Sequence, residues 1–199
     1  MLSGAASAQT PEERLFDAIE SGKPLVAEGI VARGGVNLNA RNAERETPLH
    51  RAIDKGMKEL AALLVKAKAD LAARSSNSET ALHLAALHAD PWYAELLLLA
   101  GADPVVRNDD GESPLFWAVL SGNAETARKL LERGADAKVK TLNGNGVLHA
   151  AADGGHEELL RLFLSLGLDA AEKNREGRTP LDLARGRGHA ELVKLLEKR

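Results

Sequence analysis

The chain contains no cysteine. A disulfide framework, a thiolate zinc site and a thiol nucleophile are therefore excluded. Aromatic residues are scarce, at two Trp, one Tyr and three Phe, so Ala and Leu must fill the interior, which points to closely spaced helices. Neither sign of charge prevails: 26 Lys and Arg stand against 29 Asp and Glu, a formal net charge of −3. A dedicated nucleic-acid binder shows a strongly basic face, and none is expected from this balance. Charged residues interrupt every apolar stretch, so no run approaches the roughly 18 residues of a membrane span. At 199 residues the chain can bury about 70% of its unfolded surface, enough for a stable fold.

What the chain does have is repetition. Thr47-Pro48-Leu49-His50, Thr80-Ala81-Leu82-His83, Ser113-Pro114-Leu115-Phe116, Gly146-Val147-Leu148-His149 and Thr179-Pro180-Leu181-Asp182 follow one another at intervals of 33 residues. A second marker keeps the same spacing: Ala69-Asp70, Ala102-Asp103, Ala135-Asp136 and Leu168-Asp169. Two markers in one register over most of the chain define a repeating unit.

Its chemistry suggests its shape. A Thr or Ser before Pro starts a helix, the hydroxyl capping free amides and Pro taking the first helical position. A short helix such as Pro48 to Lys55 then stops near Gly56, as later repeats do at Gly122, Gly155 and Gly188. A second helix, such as Glu125 to Glu132, ends at a glycine (Gly101, Gly134 or Gly167) able to adopt the left-handed conformation. The polar stretch Asp103 to Glu112 reads as a hairpin-like turn. One helix pair leaves an apolar face that only its neighbours can cover, so the units must stack.

On these residues, with Gly155-His156, Gly188-His189, Gly101-Ala102-Asp103 and Gly134-Ala135-Asp136 beside them, the chain resembles the ankyrin-repeat proteins over about residues 10–199. The resemblance implies an all-α solenoid of stacked helix-turn-helix units joined by hairpin-like turns. It also implies a non-catalytic module that binds other proteins through turn tips and the concave face of the first helices. Six repeats are expected, at 10–40, 41–73, 74–106, 107–139, 140–172 and 173–199, the first and last serving as caps. Thr10-Pro11-Glu12-Glu13 reads as a capping box that opens the first. Residues 1–9 form a tail in which Ala6-Ser7-Ala8 has the small-x-small form of a signal-peptidase site, without the basic and apolar regions that should precede it. One reading is a signal-peptide remnant, with a mature chain from Gln9 in a bacterial periplasm or secreted. The chain then resembles periplasmic ankyrin-repeat proteins, some associated with oxidative-stress defence. The other reading is an ordinary flexible tail on a cytoplasmic protein.

Candidate chemistry is sparse. His50, His83 and His149 share one repeat position, and His156 and His189 another. Metal ligands must converge, whereas these lie one per stacked repeat, so imidazoles bonded to backbone are expected and no metal or cofactor is. No Ser-His-Asp arrangement, paired carboxylate or phosphate loop stands out. Basic residues recur at the turns every 33 positions: Arg41, Arg74, Arg107, Lys140 and Lys173. One reading of this column is an anion-accepting edge; in the other, which is preferred, Asp70, Asp103, Asp136 and Asp169, four residues earlier, neutralise it, with Glu46, Glu79 and Glu112 adding to them. Asn145 and Arg178 replace those Glu in the last two turns, which are expected to be more positive.

The first helices end in Leu87-His88 and Leu120-Ser121 in the two central repeats alone. With Leu142 at a turn tip, these leucines read as an apolar centre ringed by charge, unless neighbouring side chains cover them. Phe116 and Trp117 are assigned to the core, and Trp92 to the outer face. The expected partner-binding residues are Arg74, Leu87, His88, Arg107, Asp109, Leu120, Ser121, Lys140 and Leu142. The expected partner is another protein, bound by a monomer, with neither nucleic acid nor a membrane span involved. The alternative, an enzyme or accessory subunit with a small-molecule site between repeats, requires converging polar groups in a closed pocket. Lys68, Arg45 and Ser78 stand where other repeats place glycine, so strained backbone is expected there. Leu49, Leu82, Leu115, Leu148 and Leu181 are all expected to be buried.

Overall fold

The computed structural model describes residues 9–198. Among them are twelve helices and no strand: α1 (Pro11–Glu20), α2 (Pro24–Arg33), α3 (Pro48–Asp54), α4 (Lys58–Lys66), α5 (Ala81–Leu87), α6 (Trp92–Leu99), α7 (Pro114–Leu120), α8 (Ala124–Glu132), α9 (Val147–Gly154), α10 (Glu157–Ser165), α11 (Pro180–Arg187) and α12 (Ala190–Leu196). Odd-numbered helices pack on one another in sequence to form an inner row, and each even-numbered helix backs the one before it. The result is an all-α repeat solenoid. Helices of seven to ten residues are too short to persist alone in water, so their stability comes from stacking.

Local signals place the helix ends. At α1, Thr10 N–H donates to Glu13 Oε2 at 2.8 Å and Glu13 N–H to Thr10 Oγ1 at 3.2 Å, a reciprocal capping box. Ser113 and Thr179 cap α7 and α11 through their hydroxyls. At Thr47 and Thr80 a capping box forms as well, with histidine in the place of the usual acid or amide. Thr47 N–H donates to His50 Nδ1 at 3.2 Å and Thr80 N–H to His83 Nδ1 at 3.1 Å. Lys68 closes α4 at φ 66°, where Gly101, Gly134 and Gly167 close the later outer helices.

The core is one continuous column. Leu49, Leu82, Leu115 and Leu148 are buried in it. Leu181 is only half-buried, contrary to expectation, because no helix pair among the described residues follows α11 and α12 to cover it.

Between helix pairs the chain makes five turn fingers of one design. Asn42, Ser75, Asn108, Thr141 and Asn174 each donate N–H to the carbonyl four residues on, at 2.9–3.0 Å. Their side chains accept the amide of that same residue, as in Glu112 N–H to Asn108 Oδ1 at 2.9 Å. Arg45 and Ser78 take positive φ of 60° and 61° where the later fingers have Gly111, Gly144 and Gly177. Fingers also join one another: Ser76, Asp109, Leu142 and Arg175 donate N–H to Glu44, Asn77, Asp110 and Asn143 carbonyls at 2.7–3.1 Å.

Candidate functional site

Five of the six histidines are structural clamps. The backbone amide facing Nδ1 leaves that nitrogen only the acceptor role, which places the ring proton on Nε2. Nε2 of His50, His83 and His149 then donates to the Glu79, Glu112 and Arg178 carbonyls at 3.1–3.2 Å. Each imidazole thus pins the next finger to its own helix. Burial holds all three below the ordinary histidine value and pushes His83 down to about 4. At the opposite end of the inner helices, His156 and His189 Nε2 bond the Leu120 and Asp153 carbonyls at 3.1 Å. Asn123 does the same work on the Ala86 carbonyl at 2.8 Å. A Cβ on Gly154 would run into His156; glycine there makes room for the clamp. Among the described residues no group of three or more His, Asp or Glu side chains converges as a metal would require.

The basic column is not neutralised as the spacing suggested. Arg41 Nη1 donates to the Arg45 carbonyl at 2.9 Å and also to the Arg74 carbonyl. Arg74 bonds the Ser78 and Arg107 carbonyls at 3.2 and 2.9 Å. Arg107 bonds the Gly111 carbonyl at 2.8 Å and reaches the Lys140 carbonyl. Among the described residues none of these three guanidiniums pairs with an acid. Asp70, Asp103, Asp136 and Asp169 instead accept the amide two residues on, at 2.8–3.0 Å, a local turn that competes successfully with a surface ion pair. The last fingers are also less positive than expected, because Lys140 pairs with Glu172 and Arg178 with Glu176.

The inner face changes character along the stack. At its first end Arg51 joins Glu20 at 2.7 Å, Asp54 at 3.1 Å and Glu46 at 3.4 Å, and Arg51 holds the Glu20 carboxyl below its ordinary value. At the far end Arg187 grips both oxygens of Asp153, at 2.8 and 3.0 Å. Between these ion pairs lie α5 and α7, which carry no charged residue. Leu87 and Leu120 are 44% and 45% exposed there, so their neighbours do not cover them. Leu84 and Trp117 are half-buried alongside. A groove of about 480 Å³ continues from Phe116 and Leu120 toward Ala150, Leu183 and the Asp153–Arg187 pair.

The other expected residues fall around this floor. Ser121 is exposed at the end of α7, Asp109 is exposed on the fourth-repeat finger, and Leu142 is 51% exposed on the next. Leu142 does not line the groove that Leu120 lines. His88 is half-buried and stacks on Tyr93 at 4.6 Å between centroids, which places it at the edge of the floor. Trp92 is half-buried on α6, with Lys58 Nζ 5.3 Å from its ring centre. Phe116 is buried as expected. Trp117 packs against the core from its edge, and its Nε1–H donates to Glu112 Oε2 at 2.6 Å, tying finger to floor. Trp117 shares a repeat position with Arg51 and Leu84 and lies three residues before Leu120. That helical spacing was the signal available for it.

Stacked helix pairs edged by a row of turn fingers define a helical-repeat solenoid protein. A family model described as ankyrin repeats (3 copies) matches residues 15–108 and again residues 115–199. The chain belongs to the ankyrin-repeat family. A search of curated proteins finds none that matches it.

Proposed function

We propose that this protein is a non-catalytic binding module that captures another protein across the inner-helix floor and the adjoining finger tips. Ankyrin repeats generally serve protein–protein interaction. The observation that carries the reading for this chain is the exposed apolar floor of α5 and α7, bounded at both ends by closed ion pairs. An apolar centre with a polar rim is the anatomy of an interface. The ionisable groups of the groove are already engaged: Asp153 by Arg187, Asp182 by the Thr179 cap, and His149 by backbone. The contact set is Leu87, Leu120 and Ser121 on the floor, His88 at its edge, and Arg74, Arg107, Asp109, Lys140 and Leu142 on the fingers.

Leu87→Asp combined with Leu120→Asp is expected to abolish partner capture with an unchanged circular dichroism spectrum. Capture at the wild-type level by a folded double variant sinks the proposal. The same reading takes the protein to work as a monomer in the periplasm of a bacterium or outside the cell, in an envelope role such as oxidative-stress defence. Its support is the Ala6-Ser7-Ala8 triplet, which lies outside the described residues. A natural chain whose mass shows Gln9 at its start supports that setting, and one that retains residues 1–8 overturns it. No helix among the described residues is long and apolar enough to cross a membrane.

A further inference from the structure

The fingers above the floor differ in charge. In the finger from Arg107 to Glu112, one arginine stands against Asp109, Asp110 and Glu112, a formal surplus of two negative charges. The Arg107 guanidinium is directed to the Gly111 and Lys140 carbonyls. Among the described residues none of the three carboxylates makes an ion pair. Glu112 accepts only the neutral donors Asn108 Nδ2 at 3.1 Å and Trp117 Nε1 at 2.6 Å. On the preceding finger Glu79 is equally without a cation, its carboxylate accepting Ser75 Oγ–H at 3.0 Å. The Trp117 bond ties the acidic finger to the floor through Glu112, so a carboxylate stands at the edge of α7.

From this juxtaposition, and resting on the proposed function above, we infer that the floor of α5 and α7 receives a peptide segment of the partner that carries Lys or Arg beside large apolar side chains. The apolar side chains cover Leu84, Leu87 and Leu120 and enter the groove beside Phe116. The cation meets Glu112, Asp109 and Asp110, or Glu79 one repeat earlier. An acidic segment laid against the Arg107–Glu112 finger would leave its carboxylates both desolvated and opposed by like charge.

The test is selection from a displayed library of random dodecapeptides on the wild-type protein, with counter-selection on the folded Leu87→Asp/Leu120→Asp variant. Enrichment of sequences with Lys or Arg next to Leu, Ile, Phe or Trp supports the inference. Enriched acidic or uncharged peptides that still need both leucines overturn it while leaving the floor as a binding face. No peptide dependent on the leucines overturns the inference together with the assigned face. A dimer seen by light scattering and abolished by the two leucine substitutions also overturns it, since a second copy then holds the floor.

For an enriched basic peptide, Asp109→Asn with Asp110→Asn is expected to weaken binding about fivefold and to flatten its salt dependence. Unchanged affinity and salt dependence in that variant count against the acidic rim.

Discussion

Single positions carry most of the strain and the pH sensitivity of this protein. Lys68 holds φ at 66°, a conformation that costs a residue with a Cβ roughly 1–2 kcal/mol. Lys68→Gly relieves it at a smaller entropic cost in the unfolded chain, so a gain of about 1 kcal/mol is expected in urea unfolding. A lower melting temperature for the variant would contradict this. The clamp histidines act in the opposite direction as acid is added. A buried imidazole whose Nδ1 faces an amide cannot take a second proton without turning acceptor into donor. The folded state therefore binds fewer protons than the unfolded state between about pH 4, where His83 titrates, and its ordinary value of 6.5. Stability contributed by His83 is complete above that window and is lost as pH falls through it, on the order of 3 kcal/mol in all. Carboxylates held low by partners, Glu20 beside Arg51 among them, add their loss only below their ordinary value of 4.5. His83→Phe, which copies the natural Phe116, is expected to flatten the dependence of unfolding free energy on pH across that window. An unchanged slope would remove His83 from this role.

Among the elements, α8 carries a buried polar flaw. Thr126 lies at the repeat position of Leu60, Tyr93, Leu159 and Leu192, and its buried hydroxyl has no hydrogen-bond partner. Thr126→Val keeps the shape and the β-branch while removing an unsatisfied polar atom, so it is expected to stabilise the fold by about 1–3 kcal/mol. Thermal unfolding checks the sign. The helices themselves were legible in the chain, because Pro at a first turn, Gly at a last one and leucines in register act within a few residues. What lay hidden is the choice of hydrogen-bond partner. Four-residue spacing suggested that Asp70 serves Arg74, yet the aspartate turns to an amide two residues on while the arginine reaches a carbonyl 33 residues away. Trp117 was legible as apolar but not as the tie between a finger and the floor, since its partner Glu112 belongs to the preceding turn.

For the whole molecule, stacking makes the effect of a substitution depend on its place in the row. Leu115 is fully buried with a helix pair on each side, whereas Leu181 is half-covered. Leu115→Ala is expected to cost about 2–5 kcal/mol, and Leu181→Ala less than half of that, because its pocket is already partly open to water. Equal losses in parallel denaturant titrations would contradict a one-dimensional stack. The apolar floor follows the same logic of position: its leucines were visible as a pair in the chain, but the ion pairs that bound it join residues 31 and 34 apart. The row of fingers has a further consequence. Neighbouring fingers are fastened by main-chain amides and carbonyls, from Asp109 to Asn77 and from Leu142 to Asp110, while the side chains at those sites take no part in the fastening. The lettering at these tips, though not the arginines that reach across to the next finger, can therefore be rewritten one residue at a time, acid for leucine or arginine for asparagine, without loosening the spine that displays it.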